Sequence, residues 1–347
     1  MAPAIKPIAP ERLPALLRAM PKAELHIHIE GSLEPEQMFA LGQRNGVPLA
    51  HPSVQALREA YVFDNLQDFL DIYHAGTLVL RTEQDFYDMA CAYFARAQAD
   101  NVTHAELFFD TQTHTGHGLS AATVIRGLHR ACVDAPARFG MTASLILCFL
   151  RHLSEEEAFA CLEEALPLRD MLVGIGLASS EVGHPPEKFA KVFARARALG
   201  FRLVAHAGEE GPPAYIWSAL DVLKVERIDH GVQATHDAAL MRRLVQDKVP
   251  LTVCPLSNLK LRVFPSLAQH NLGRMLEAGV VATVHSDDPA YFGGYINDNF
   301  TQTFAALGLG AHHAYQLARN SFEASFIEPS ARARHIANLD AVFESFA

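Results

Sequence analysis

The sequence predicts an α/β fold, a (β/α)8 TIM barrel with extra helices near its N-terminal third and a helical C-terminus, on three observations. Eight short apolar or β-branched runs recur along the 347 residues, each followed by a loop and a segment with helical periodicity. Neither G-x-G-x-x-G nor G-x-x-x-x-G-K-[ST] occurs, so the phosphate-binding turn of an open, doubly wound sheet is missing. Histidines and carboxylates gather where the runs end, which is where barrel enzymes carry their reactive groups.

The first run, Glu24–Ile29, follows an N-terminus broken by prolines that holds no apolar block long enough for a signal-peptide core. The stretch from Leu49 to Asn101 is too long for one crossover helix, and extra helices forming a cap over the barrel mouth are expected across residues 49–101. The next runs are His104–Phe109, Ala143–Leu150 and Met171–Leu177. A helix over Pro186–Leu199 opens on prolines and closes before Gly200, as N-terminal Pro and C-terminal Gly dictate. The run Arg202–His206 and a helix over Pro213–Lys224 come next, followed by the runs Arg227–Asp229, Pro250–Cys254 and Val280–His285. After Asp298 the pattern is helical to Phe346. No repeat, linker or charge block divides the chain, so residues 1–347 read as a single domain.

Composition narrows the function. Lys and Arg total 29 against 39 Asp and Glu, a formal charge of -10, and such a surface repels phosphate backbones and anionic lipid. Nucleic acid and membrane are therefore excluded as partners, and no apolar run approaches the ~20 residues a bilayer needs. The five cysteines form no C-x-x-C pair, which reads as reduced, buried thiols in the cytoplasm. Assembly state is left open.

The ends of the runs carry chemistry. His26 and His28 stand two residues apart in a strand, so both imidazoles face one side and can reach one metal ion. About one H-x-H pair is expected by chance in so histidine-rich a chain, so the pair needs context. Context comes from His206 in HAGEEG, His230 in RIDHG and Asp287–Asp288 in HSDDP, each at the end of a run. Three imidazoles and a carboxylate, His26, His28, His206 and Asp287, make a ligand set for one Zn2+ or another divalent transition ion, with a position left for water. Glu209, His230 and Asp288 then surround that position as proton donor and water-orienting groups. Each residue alone has an ordinary explanation, such as Asp287 capping the following helix. Their joint placement points to a hydrolase.

PKAELHIHIEGSLEPE, HAGEEG, RIDHG, VCPLSN and HSDDPAYFGGY together resemble the adenosine and adenine deaminase family of metal-dependent amidohydrolases, in order from residue 21 to 295. The resemblance implies a zinc barrel that replaces a purine 6-amino group with oxygen and releases ammonia. By that resemblance His26, His28, His206 and Asp287 match the zinc ligands, and Glu209 matches the acid that protonates N1 while hydroxide adds at C6. His230 matches the histidine beside the attacking water, and Asp288 the aspartate that holds it and a ring nitrogen. Met171–Leu177 contains no lysine to bridge two metals, so one metal is expected. The H-x-E and P-C-x-x-C pattern of the other zinc deaminase architecture is absent.

Glu30 in HIHIEG resembles the adenine deaminase branch, where the longer side chain intrudes on ribose, so the free base adenine is the expected substrate, with hypoxanthine as product in purine salvage. FFDTQTHT and SSEVGHPP are similar to that branch and suggest Asp110, Gln112, Ser179 and Glu181 near the five-membered ring. Two departures bear on recognition: Ala178 stands where that branch carries a carboxylate, and His285 where it carries Asn before SDDP. Adenosine or a modified aminopurine stays open as substrate, as do a catalytically inactive purine-binding barrel and hydrolysis of a non-purine amide.

Overall fold

A computed structural model describes residues 6–347; residues 1–5, the start of the proline-broken segment, lie outside it. Eight strands pair in parallel in chain order. They are β1 (Lys22–His28), β2 (Val102–Phe109), β3 (Thr142–Leu150), β4 (Gly174–Ala178), β5 (Arg202–Ala207), β6 (Arg227–His230), β7 (Pro250–Val253) and β8 (Val281–Val284). Their apolar residues are almost wholly buried, as expected for parallel strands covered by helices on the outside.

The barrel closes through one residue beyond β8. Asp287 donates its backbone N–H to the His26 carbonyl at 3.1 Å and accepts the His28 N–H at 3.0 Å, forming a parallel bridge to Ile27. Asp287 has φ +65°, a left-handed conformation that is uncommon for a side-chain-bearing residue and is concentrated at functional positions. On the other edge of β1 the register against β2 shifts between Glu24 and Ile27, so His26 sits in an irregular stretch of strand.

Most strand boundaries fall within one or two residues of the sequence expectation, and two larger differences stand out. β4 begins at Gly174 rather than Met171, because Met171 belongs to the 3-10 turn Leu166–Met171 and the Leu172 N–H donates to the Arg169 carbonyl. The segment 49–101 does form helices, at Val54–Glu59, Leu66–Thr77 and Glu83–Ala99, but the third belongs to the outer ring. It packs against the helix Ala121–Phe139 so closely that a Cβ on Gly127 would meet the Glu83 carbonyl and Phe86. Of the other two, Leu66–Thr77 supplies side chains to the cavity and remains as its cover. Thr82 and Asp85 cap Glu83–Ala99 reciprocally, worth about 1 kcal/mol, which explains why it starts there.

The C-terminal helices Ile296–Leu307, Ala311–Ala324 and Pro329–Phe346 follow as expected. Phe322 and Ala324 of the second bury against Ala23 and Leu25 of β1. No helix among the described residues is long and apolar enough to cross a membrane.

Candidate active site

Strand ends bring four side chains to one point. The ligand-capable atoms of His26, His28, His206 and Asp287 all lie within 4.8 Å of one another. His26 Nε2 is 3.2 Å and His28 Nε2 3.5 Å from Asp287 Oδ1, and His28 Nε2 is 3.0 Å from His206 Nε2. Ligand atoms around a tetrahedral zinc ion, at bond lengths of about 2.0–2.1 Å, stand about 3.3 Å apart, so this spacing is that of a coordination sphere. His26 Nε2 and Asp287 Oδ1 are buried and make no hydrogen bond, although they face each other. Burial pushes His28 down to about 4, and burial together with the neighbouring imidazoles drives His206 well below the usual histidine range. Burial pushes the Asp287 carboxyl up, but the surrounding histidines outweigh it and hold the group ionised. Three imidazoles and a carboxylate converging at this spacing fit zinc or another divalent transition ion.

Glu209, His230 and Asp288 border the same cavity. His230 Nε2 is 3.4 Å from Glu209 Oε2 and 3.9 Å from Asp287 Oδ2. Burial raises the Glu209 pKa well above the usual carboxyl range, and the charges of Asp287, Glu210 and Glu181 add to the rise. Asp288 is likewise raised by burial and by Asp287, while burial and His26 push His230 down to about 3. The arrangement therefore places carboxyls of raised proton affinity beside a neutral imidazole, which suits general acid–base chemistry. Asp288 packs so close to Gly31 that any side chain there would collide with it, so the glycine of HIHIEG is sterically required.

The remaining sequence candidates have different surroundings. Glu30 is buried, 3.1 Å from His114 Nε2, and accepts a long hydrogen bond from the Tyr73 hydroxyl at 3.5 Å. Asp110 and Ser179 line the cavity; Asp110 also caps its loop by accepting the Thr113 N–H at 2.7 Å, and Ser179 Oγ lies 2.9 Å from His152 Nδ1. Gln112 accepts the Leu150 N–H at 2.9 Å. Glu181 accepts four backbone N–H groups, from Gly208 at 2.6 Å, Glu209 at 3.1 Å, Glu210 at 2.9 Å and Gly211 at 2.7 Å, so both its oxygens are committed to the HAGEEG loop. Ala178 borders the cavity, whereas His285 sits fully buried with one ring nitrogen accepting the Leu25 N–H at 3.1 Å and the other 2.7 Å from Thr283 Oγ1. The two departures thus do not form a pair at the pocket.

Sequence reasoning missed several supports. Arg151 Nη1 donates to the His206 carbonyl at 2.6 Å and fixes the turn that follows it. Helix Leu66–Thr77 lays Phe69, Leu70 and Tyr73 over the cavity and bonds to the barrel through the Ser180 hydroxyl on Gln67 Oε1 at 2.8 Å. Arg227 and Asp229, two residues apart in a wholly buried strand, were a legible signal of a polar layer below the site, as were His104 and Glu106 in β2.

With that geometry in place, residues 21–342 match the family model described as adenosine deaminase. An adenine deaminase from Albidiferax ferrireducens is 77% identical over 342 residues, which cover 99% of each chain. The crystal structure of an adenine deaminase from Arthrobacter aurescens superposes with a TM-score of 0.93 at 47% identity, over 94% of this chain and 100% of that one. The crystal structure of an amidohydrolase from Burkhoderia ambifaria with bound Zn superposes with a TM-score of 0.88 at 28% identity, over 99% of this chain and 96% of that one.

Proposed function

The chain belongs to the adenosine deaminase family, and from that premise we propose that it is an enzyme hydrolysing adenine to hypoxanthine and ammonia. The observation that carries the reading is Glu209, a buried carboxyl whose environment favours its proton, in one cavity with His28, His206 and Asp287 of the quartet. Similarity to adenine deaminases along the whole chain supports the free base as substrate.

His26, His28, His206 and Asp287 would hold one Zn2+. When bound there, a divalent ion polarises water and lowers its pKa toward neutrality. Glu209 holds the proton that N1 needs, and donating it as water adds to C6 absorbs the charge that builds on the ring. His230, neutral and beside both Glu209 and Asp287, orients the attacking water. Asp288, whose raised proton affinity makes its ionised form a strong base, takes the first proton that water loses and returns it to the departing amine. The C6–O bond forms, the C6–N bond breaks, the remaining C6–OH proton passes back to Glu209 as the carbonyl forms, and ammonia leaves.

The cover favours a small substrate. Glu30 is enclosed by His114 and Tyr73 beneath helix Leu66–Thr77, and a nucleoside would need that space for its sugar. Asp110 and Ser179, on the cavity wall, are the polar groups we assign to the five-membered ring; Gln112 and Glu181 we assign to holding loops. Free thiols support a cytoplasmic location, and we read the chain as a single-domain enzyme of purine salvage.

The test is ultraviolet-monitored turnover of zinc-loaded protein on adenine and adenosine side by side, with ammonia release as a second readout. Adenine conversion with negligible adenosine turnover is expected. Equal or better turnover of adenosine would overturn the free-base reading.

A further inference from the structure

Below the quartet the barrel interior holds polar side chains that the reaction does not touch. β6 sends Arg227 and Asp229 inward, and both are fully buried. Asp229 is forked between two of the proposed ligands. Its Oδ1 accepts a hydrogen bond from the Thr252 hydroxyl at 2.9 Å, and Thr252 Oγ1 lies 2.8 Å from His26 Nδ1. Its Oδ2 faces His206 Nδ1 at 3.6 Å.

Donor and acceptor counting gives this fork a direction. A carboxylate only accepts, so Thr252 commits its single proton to Asp229 and must accept from Nδ1–H of His26. Oδ2 of Asp229 and Nδ1 of His206 are buried without another hydrogen-bond partner, so each is the group the other has to pair with. Both imidazoles then carry their proton on Nδ1 and present a lone pair from Nε2, the atom that faces the quartet. Arg227 Nε stands 3.7 Å from Asp229 Oδ1, and Arg227 Nη1 donates to Glu106 at 2.6 Å, so a cation shared between two carboxylates backs the fork. Burial pushes the Asp229 carboxyl up, and His26, the Arg227 guanidinium and the Thr252 hydroxyl oppose that rise.

We propose that Asp229 is a positioning residue of the metal site, one carboxylate that sets the tautomer and ring orientation of His26, through Thr252, and of His206 directly. The proposal rests on the reading of His26, His28, His206 and Asp287 as ligands. Asp229 does not line the cavity and touches no substrate.

The test compares wild type, Asp229→Asn and Thr252→Val by three measurements: the zinc dissociation constant from chelator competition, the visible spectrum of the cobalt(II)-loaded protein, and the melting temperature of the metal-free protein. Asp229→Asn should bind zinc roughly 10–100-fold more weakly and shift the cobalt spectrum while the metal-free protein melts near wild type. Thr252→Val cuts one arm of the fork and should weaken zinc less. Unchanged affinity and spectrum in a folded Asp229→Asn would overturn the proposal. If that variant does not fold, Thr252→Val decides, and wild-type affinity in it overturns the proposal equally. A wild-type protein that takes up no zinc would sink the ligand reading itself, and the proposal with it.

Discussion

Glu181 acts on Glu209 in two ways: its Oε2 accepts the Glu209 backbone N–H at 3.1 Å, and its charge adds to burial and Asp287 in lifting the Glu209 carboxyl above its usual range. Position and proton affinity of one side chain therefore depend on another that never reaches the cavity.

Glu181→Gln removes the charge and puts an amide NH2 among four backbone donors, so the HAGEEG loop loses charge-assisted bonds worth about 1.5–3 kcal/mol. Turnover should fall roughly tenfold or more. The alkaline limb of the rate profile should move to lower pH, because a repelling charge beside Glu209 is gone. A pH–rate profile identical to wild type would remove Glu181 from the account.

Glu209→Gln keeps shape but has no proton to give N1. Adenine turnover should drop roughly 10²–10⁴-fold while zinc content, measured by elemental analysis, stays at the wild-type value. Near-normal turnover would end the assignment of Glu209 as the acid.

Acid stability should be governed in part by Glu106. Burial pushes its carboxyl up, but Arg227 and then His104 outweigh burial and hold it at about 2, against 4.5 for an ordinary Glu. A depressed carboxyl contributes stability that is complete above the unfolded pKa and is lost as pH falls toward the folded one, so the window runs from about pH 4.5 down to about 2. That shift corresponds to roughly 3 kcal/mol. Urea midpoints across this window should fall steeply for wild type, whereas Glu106→Gln, destabilised by about 3–5 kcal/mol at neutral pH through its stranded Arg227, should lack that component. Parallel pH profiles for the two would contradict it.

All five thiols are buried and free. Burial pushes Cys132 and Cys161 up to about 12, and Cys148 and Cys254 are raised well above the ordinary thiol value. Labelling with a disulfide reagent near neutral pH should be slow in the native protein and complete only after unfolding, because the thiolate is the reactive form. Rapid native modification of Cys148, which lines the cavity, would show the cover to be open in solution.

The eight strands were legible because buried parallel strands leave apolar runs of a length that helices do not share. The quartet was legible because its members sit at strand ends, where topology alone brings them together. Helix Glu83–Ala99 was not separable from the cover, since outer-ring and covering helices share one periodicity and differ only in what they pack against. The role of Glu181 was hidden for a similar reason: its four partners are backbone N–H groups 27 to 30 residues away, which carry no residue-type signature. His285 adjoins Ser286–Asp287–Asp288 in sequence, yet its ring turns to Thr283 and the Leu25 backbone, so adjacency to the site motif misled.

Asp287 joins the first strand to the last while its carboxylate completes the quartet. The stitch that turns an open sheet into a ring and the last of four donors are thus a single residue, placed 260 positions after the backbone it clasps at Ile27. A chain released before Asp287 is made would be more than an incomplete enzyme. It would be an unfinished sheet with two raw borders, each offering unpaired peptide groups to other unfinished chains, so the interval of synthesis before Asp287 emerges is when this protein is most open to misassembly.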